Sequence, residues 1–230
     1  MKHETRNTNI SLISRFDQHS ITAVFISVSS LLITLPVKAQ IQFPVIQPTS
    51  KVGEIAKYRT VDLWNNSEQS VSENVLVDIE ADYFVTRLTE TANPAPRTIR
   101  ASRSWNFCRS LRNNDKTVCD GALKFPMQLG NKHSYKELPW ANGLGHFSAS
   151  CEVVGEEKVT VPSGTFDTLR INCAGFYQRV FDGNWNGRFN SVTWYAPAIG
   201  RVTKIQYFDF NGSSAFNKNQ TELVEFIAGK

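Results

Sequence analysis

The chain has 230 residues, 41% of them apolar and 20% charged, enough to bury one sizeable core, so a single domain is the default expectation. Its 25 basic and 21 acidic residues include Lys2, Arg6, Arg15, Lys38, Glu4 and Asp17 ahead of Gln40, which leaves the remainder with a net charge of only +2. A balance this even argues against a nucleic-acid binder, which needs a concentrated basic face.

The first segment reads as an export signal. A polar, basic stretch precedes the apolar run Ile21 to Leu35, and Val37-Lys38-Ala39 offers small residues at the two positions a signal peptidase reads. The run is shorter than the roughly 20 residues that span a bilayer, so cleavage after Ala39 is expected rather than a retained anchor. That assigns residues 1–39 to a cleaved signal peptide and 40–230 to one mature domain, periplasmic or secreted and not membrane-spanning.

From Gln40 onward the sequence predicts strand after strand and no convincing helix. Gly53 to Trp64 alternates loosely and ends at Asn65-Asn66-Ser67. Ser70 to Glu80 places Val71, Val75, Val77 and Ile79 on one parity, and Tyr83 to Thr91 follows, stopping at Asn93-Pro94-Ala95-Pro96. Thr98 to Leu111 turns at Asn113-Asn114 and returns through Val118 to Leu123. Phe125 to Gly145 carries Pro126, Gly130, Pro139 and Gly143 without a sustained period, and reads as a long irregular connection with one short strand near Lys132 to Lys136.

Cys151 to Cys173 then forms a long hairpin. Val153, Val159 and Val161 share one parity, Leu169 and Ile171 share one on the return, and all are assigned to a single apolar face together with both cysteines. Pro162-Ser163-Gly164 is expected to form a three-residue loop that sets Val161 opposite Thr165. That register puts Cys173 opposite Val153 rather than Cys151, so a bulge is expected near Gly155. Strands at Gly175 to Phe181, Arg188 to Tyr195, Arg201 to Phe210 and Thr221 to Ile227 complete the chain. About ten strands predict an all-β domain: a curved antiparallel sheet forming a half-open or closed barrel.

All four cysteines lie beyond Gln40, and an even number in an exported chain favours two disulfides over a metal site. Cys108 and Cys119 flank Asn113-Asn114 symmetrically, which pairs them and leaves Cys151 with Cys173. The spacings fit no zinc pattern, and no metal or cofactor is expected. His133 and His146 have no nucleophile elbow beside them, and Glu156-Glu157 read as solvated charges at a bulge. No catalytic residues are assigned, and the chain is expected not to be an enzyme; a hydrolase is the least favoured reading.

The run Val159 to Thr168, VTVPSGTFDT, with Glu156 before it, then Trp194-Tyr195-Ala196-Pro197, Gly200 and Val202, the closing Glu222-Leu223-Val224, and Phe125 to Gly130 resemble an uncharacterised family of exported bacterial β-rich domains. The resemblance covers roughly Phe125 to Ile227. It implies a half-open barrel like that of the lipoprotein-carrier proteins of the bacterial envelope, whose concave apolar face can hold acyl chains, and it implies no catalytic residues.

On that basis a lipid or other hydrophobic ligand is the expected partner. Its walls are expected to come from Val153, Val159, Leu169 and Ile171 with Trp194 or Tyr195, one of that last pair in the core and the other exposed. Phe125 to Gly145 would serve as a lid, and Trp185, among glycines and asparagines, is the best surface candidate. The alternative is a protein-interaction module that meets another envelope protein.

Overall fold

The computed structural model describes residues 41–110, 116–179, 186–211 and 213–230. The expected signal peptide, Trp185 and the turn at Asn113-Asn114 lie outside the described residues. These contain twelve strands and no helix: β1 (Ile55–Asp62), β2 (Glu68–Ile79), β3 (Tyr83–Glu90), β4 (Asn93–Ser102), β5 (Arg109–Ser110), β6 (Thr117–Val118), β7 (Lys132–Pro139), β8 (Gly145–Val161), β9 (Gly164–Arg179), β10 (Asn186–Ala196), β11 (Arg201–Asn211) and β12 (Ser214–Ile227).

Ten of them form one antiparallel sheet in the order β4-β3-β2-β1-β12-β11-β10-β9-β8-β7, and β5 pairs only with β6. Within β1 to β4 and within β7 to β12, neighbours in sequence are neighbours in the sheet, and β12 returns to pair with β1, which joins the first four strands to the last six. The edges β4 and β7 do not pair with each other, so the sheet curves without closing into a hydrogen-bonded barrel.

β4 starts at Asn93, where the sequence predicted a stop. Pro94 and Pro96 lie inside it, and they are tolerated because β4 is an edge strand with one side free of ladder bonds.

Bulges supply the curvature and overturn two parity assignments. In β2 the register shifts between Leu76 and Asp78, so Val77 is the extra residue and is exposed, while Asn74 and Leu76 are the buried pair. In β8 the shift lies between Val153 and Gly155. Val153 faces Ile171 and Val159 faces Phe166; positions 166 and 171 of an unbulged strand point to opposite sides, so Val153 and Val159 do not share a face. The loop differs too. Thr160 faces Thr165 and Val161 faces Gly164, which leaves a two-residue turn at Pro162-Ser163. The shorter turn and the bulge each move the register by one residue, and together they bring Cys151 opposite Cys173.

Both expected disulfides are present, Cys108 to Cys119 and Cys151 to Cys173. The second lies in the main core with Val153, Leu169, Ile171, Leu76, Phe84, Met127 and Tyr195. A second cluster gathers Val159, Val161 and Trp194 with Ala56 and Leu223. It exists because the tip of the β8-β9 hairpin reaches β12, where the Ser163 amide donates to the Leu223 carbonyl at 3.2 Å.

Candidate functional site

The curved sheet lines a half-open cavity of about 680 Å³, within the range that holds small ligands. Leu88 of β3, Ile99 of β4, Phe147 of β8, Phe189 of β10 and Tyr207 of β11 supply apolar wall. The remaining side is covered by the segment between β4 and β7, through Trp105, Phe107 and Leu123.

Trp105 holds that cover down. It is the residue after a tight turn, at φ 63°, and its amide donates to the Ser102 carbonyl at 2.8 Å. The indole stacks on Phe84 with centroids 4.3 Å apart, donates from Nε1 to Ser50 Oγ at 3.3 Å, and lies against the Arg201 guanidinium. Arg201 in turn donates from Nε to Glu54 Oε1 at 2.6 Å, and both side chains are at least 95% buried. Burial pushes the Arg201 guanidinium below its ordinary value, and the neighbouring Tyr58 and Glu54 oppose that shift. The Tyr58 hydroxyl donates to the Val202 carbonyl at 3.1 Å, and burial raises its pKa.

Tyr135 and Arg109 line the same cavity. Burial pushes the Tyr135 phenol up to about 12, and desolvation lowers Arg109, whose Nη1 donates to the Pro139 carbonyl at 3.4 Å. Arg97 and Glu90 also line the cavity and pair with each other.

The residues that the sequence assigned to a ligand wall lie elsewhere. Val153, Leu169, Ile171 and Tyr195 pack in the main core, with Tyr195 edge-on to Phe125 at 5.3 Å, while Val159 and Trp194 belong to the second cluster. None of these six lines the cavity. The expectation that one of Trp194 and Tyr195 is exposed does not hold, because both faces of the last residues of β10 are covered: Trp194 donates from Nε1 to Glu157 Oε2 at 2.8 Å.

Phe125 to Gly145 is not a lid. Met127 is fully buried and exchanges two main-chain bonds with Val45, Gly130 donates to the Val153 carbonyl, and β7 completes the sheet edge. His133 sits on β7 with Nε2 at 3.1 Å from the Gly121 carbonyl. The signals that could have located the real cover were the turn residues Ser102 to Asn106 and Asp120-Gly121, and the aromatics Trp105 and Phe107 immediately before Cys108.

No protein-family model matches the chain, and no curated protein matches it either. Among solved structures, the chain resembles a candidate lipoprotein from Parabacteroides distasonis at 14% identity, covering 81% of this chain and all of that one, with a TM-score of 0.50. It also resembles a candidate exported protein with a YmcC-like fold from Bacteroides fragilis at 15% identity, covering 80% of this chain and 99% of that one, again with a TM-score of 0.50. At these identities the likeness is one of fold.

Proposed function

We propose that the chain is an exported, non-catalytic domain of the bacterial envelope that holds a hydrophobic ligand within its curved sheet. The observation that carries this reading is the cavity of about 680 Å³ behind the Trp105 cover, walled largely by side chains such as Leu88, Ile99 and Phe189. Export is supported by the signal-like leader, by two disulfides suited to an oxidising compartment, and by the fold shared with proteins named as exported or as lipoproteins. An apolar cavity favours bound hydrocarbon because each methylene removed from water contributes about 0.8 kcal/mol, offset in part by ordering of the chain.

The test is titration of delipidated protein with an environment-sensitive fluorophore carrying an acyl chain, alongside mass spectrometry of organic extracts of the purified protein. Saturable binding is expected, and Ile99→Trp, which fills the cavity from the edge strand, is expected to weaken it about tenfold while the fold is retained. Absence of both saturable binding and extractable ligand would sink this reading in favour of a protein-interaction module.

A further inference from the structure

Three arginines reach the cavity wall, and among the described residues one of them lacks a counter-charge. Arg97 pairs with Glu90 and Arg201 with Glu54, which leaves Arg109. Its one hydrogen-bond partner is the neutral Pro139 carbonyl, reached by Nη1 at 3.4 Å, and no carboxylate of the described residues bears on its titration. Desolvation lowers its pKa, opposed only by the Tyr135 phenol, which burial itself raises to about 12 and so keeps neutral near pH 7. A guanidinium keeps its proton even so. Arg109 is therefore a largely desolvated cation held by a single neutral acceptor, an arrangement that is costly until an anion joins it.

The rest of its fork is open. A guanidinium carries five N–H donors, and those of Arg109 not directed at Pro139 have no partner among the described residues. Unlike Arg201 Nη2, none of its nitrogens is an unpartnered atom sealed from access. The side chain is also well placed by its backbone: Arg109 faces Val118 in the β5-β6 ladder, adjoins the Cys108 to Cys119 bridge, and lies on a strand packed against β7, which carries Tyr135 and Pro139. Little ordering remains to be done on binding. Asp120 reaches the wall as well, but it acts on Tyr135 rather than on Arg109, and its Oδ1 accepts from the Gly121 amide at 2.9 Å. It turns an anion away from its own side, which leaves Arg109 as the seat.

We infer that the ligand is an anionic amphiphile whose oxyanion head is seated on Arg109, with its hydrocarbon against Leu88, Ile99 and Phe147. The inference rests on the ligand-holding reading above. A pair of carboxylate or phosphate oxygens matches the planar guanidinium fork, and the charge-assisted bonds so formed are roughly twice as strong as neutral ones. A hydroxyl head leaves the cation uncompensated, and a cationic head adds a like charge.

The experiment compares three amphiphiles of one chain length on delipidated protein by calorimetry: a fatty acid at a pH where it is ionised, a monoacylglycerol, and an alkyltrimethylammonium. Acetate and inorganic phosphate serve as heads without a chain. The fatty acid is expected to bind at least about tenfold more tightly than the neutral or the cationic amphiphile, and the small anions are expected not to saturate where it does. Arg109→Gln is expected to weaken the fatty acid about tenfold and to leave the monoacylglycerol and a headless hydrocarbon fluorophore unaffected. Equal or tighter binding of the neutral or cationic amphiphile overturns the inference, as does a folded Arg109→Gln protein that keeps its fatty-acid affinity. Acetate or phosphate binding as tightly as the fatty acid overturns it too, since the site would then be one for small anions. If the variant does not fold, the head-group series on the unaltered protein decides alone. Binding of the fluorophore with no preference among heads removes this inference and leaves the ligand-holding reading standing, whereas failure of the fluorophore and all three amphiphiles rejects both.

Discussion

The two disulfides occupy regions built on different principles. Cys151 and Cys173 face each other in the middle of a ladder that runs from Gly145-Arg179 to Val161-Gly164, and both are 2% exposed in the main core. Cys108 and Cys119 stand one step beyond a ladder of only two rungs, Arg109-Val118 and Ser110-Thr117, in the segment that covers the cavity. In the hairpin, register, packing and the covalent bridge repeat the same constraint. Among the described residues of the cover, main-chain pairing consists of those two rungs and of bonds to β4, Asn106 with Ser102 and Cys108 with Arg100, and the bridge and single side-chain contacts across the molecule add to it. The described residues of the cover are therefore expected to exchange their amides ahead of those of the hairpin.

The sharpest way to break this contrast is to remove the anchor of the cover. Glu54→Gln leaves the Arg201 guanidinium buried without its carboxylate, and the resulting loss is expected to be about 3 to 5 kcal/mol in urea unfolding. A loss below about 1 kcal/mol would show that Arg201 does not hold Trp105 in place. The bridges themselves come next. Cys151→Ala with Cys173→Ala should lose about 3 kcal/mol, since it removes both the cross-link and buried core volume. Cys108→Ser with Cys119→Ser should lose about 2 kcal/mol globally, yet raise amide exchange selectively in residues 105–110 and 116–123. Equal, uniform exchange in the two double variants would erase the distinction between the regions.

A titration sharpens the same contrast. Tyr135 lies on β7 against the cover, and its phenol is raised from 10 to about 12 by burial. A group whose pKa is raised in the fold contributes fully below its unfolded value and loses that contribution as pH rises through the folded one. Stability should thus be level up to about pH 10 and fall by up to about 3 kcal/mol from this group as pH approaches 12. Tyr135→Phe should flatten part of that fall. The check is urea unfolding across that pH range with phenolate absorbance followed in parallel; phenolate formation at Tyr135 near pH 10 would show that the cover leaves this phenol wet.

How much of this was legible in the sequence follows from the range of the forces involved. Alternation and turn residues are local, and they located the strands, the cysteine pairs and the bulge near Gly155. The consequence of the bulge was harder to see. One extra residue sends every later side chain to the other face, so Val153 and Val159 separated although their spacing is even. Pro94 and Pro96 read as a stop because edge status depends on which strand lies beyond, a tertiary fact. The chain Glu54-Arg201-Trp105-Phe84 joins residues separated by up to 147 positions, and no periodicity announces such a contact. The cavity inherits that difficulty, since residues as far apart in sequence as Tyr58 of β1, Asn74 of β2 and Arg201 of β11 all reach its wall.

The smallest expected effect concerns the hairpin tip, where the sequence reading was one residue out. Gly164 has φ of 137°, a conformation that side-chain-bearing residues rarely adopt, and it directly faces Val161 at the end of the ladder. Space is not the obstacle there, because a Cβ would meet only the Phe166 ring at 3.8 Å. Backbone strain alone should act, and Gly164→Val is expected to lower stability by about 1 kcal/mol. The strain also has a place to go. The tip is docked on β12 through Ser163 and closes the second cluster over Trp194, so relief by opening the turn would expose that indole. Thermal unfolding followed by tryptophan fluorescence separates the cases: a lowered midpoint with an unchanged native spectrum keeps the tip docked, and a red-shifted native spectrum means that it has lifted. An unchanged midpoint and spectrum would show that the two-residue turn at Pro162-Ser163 does not need glycine at its exit.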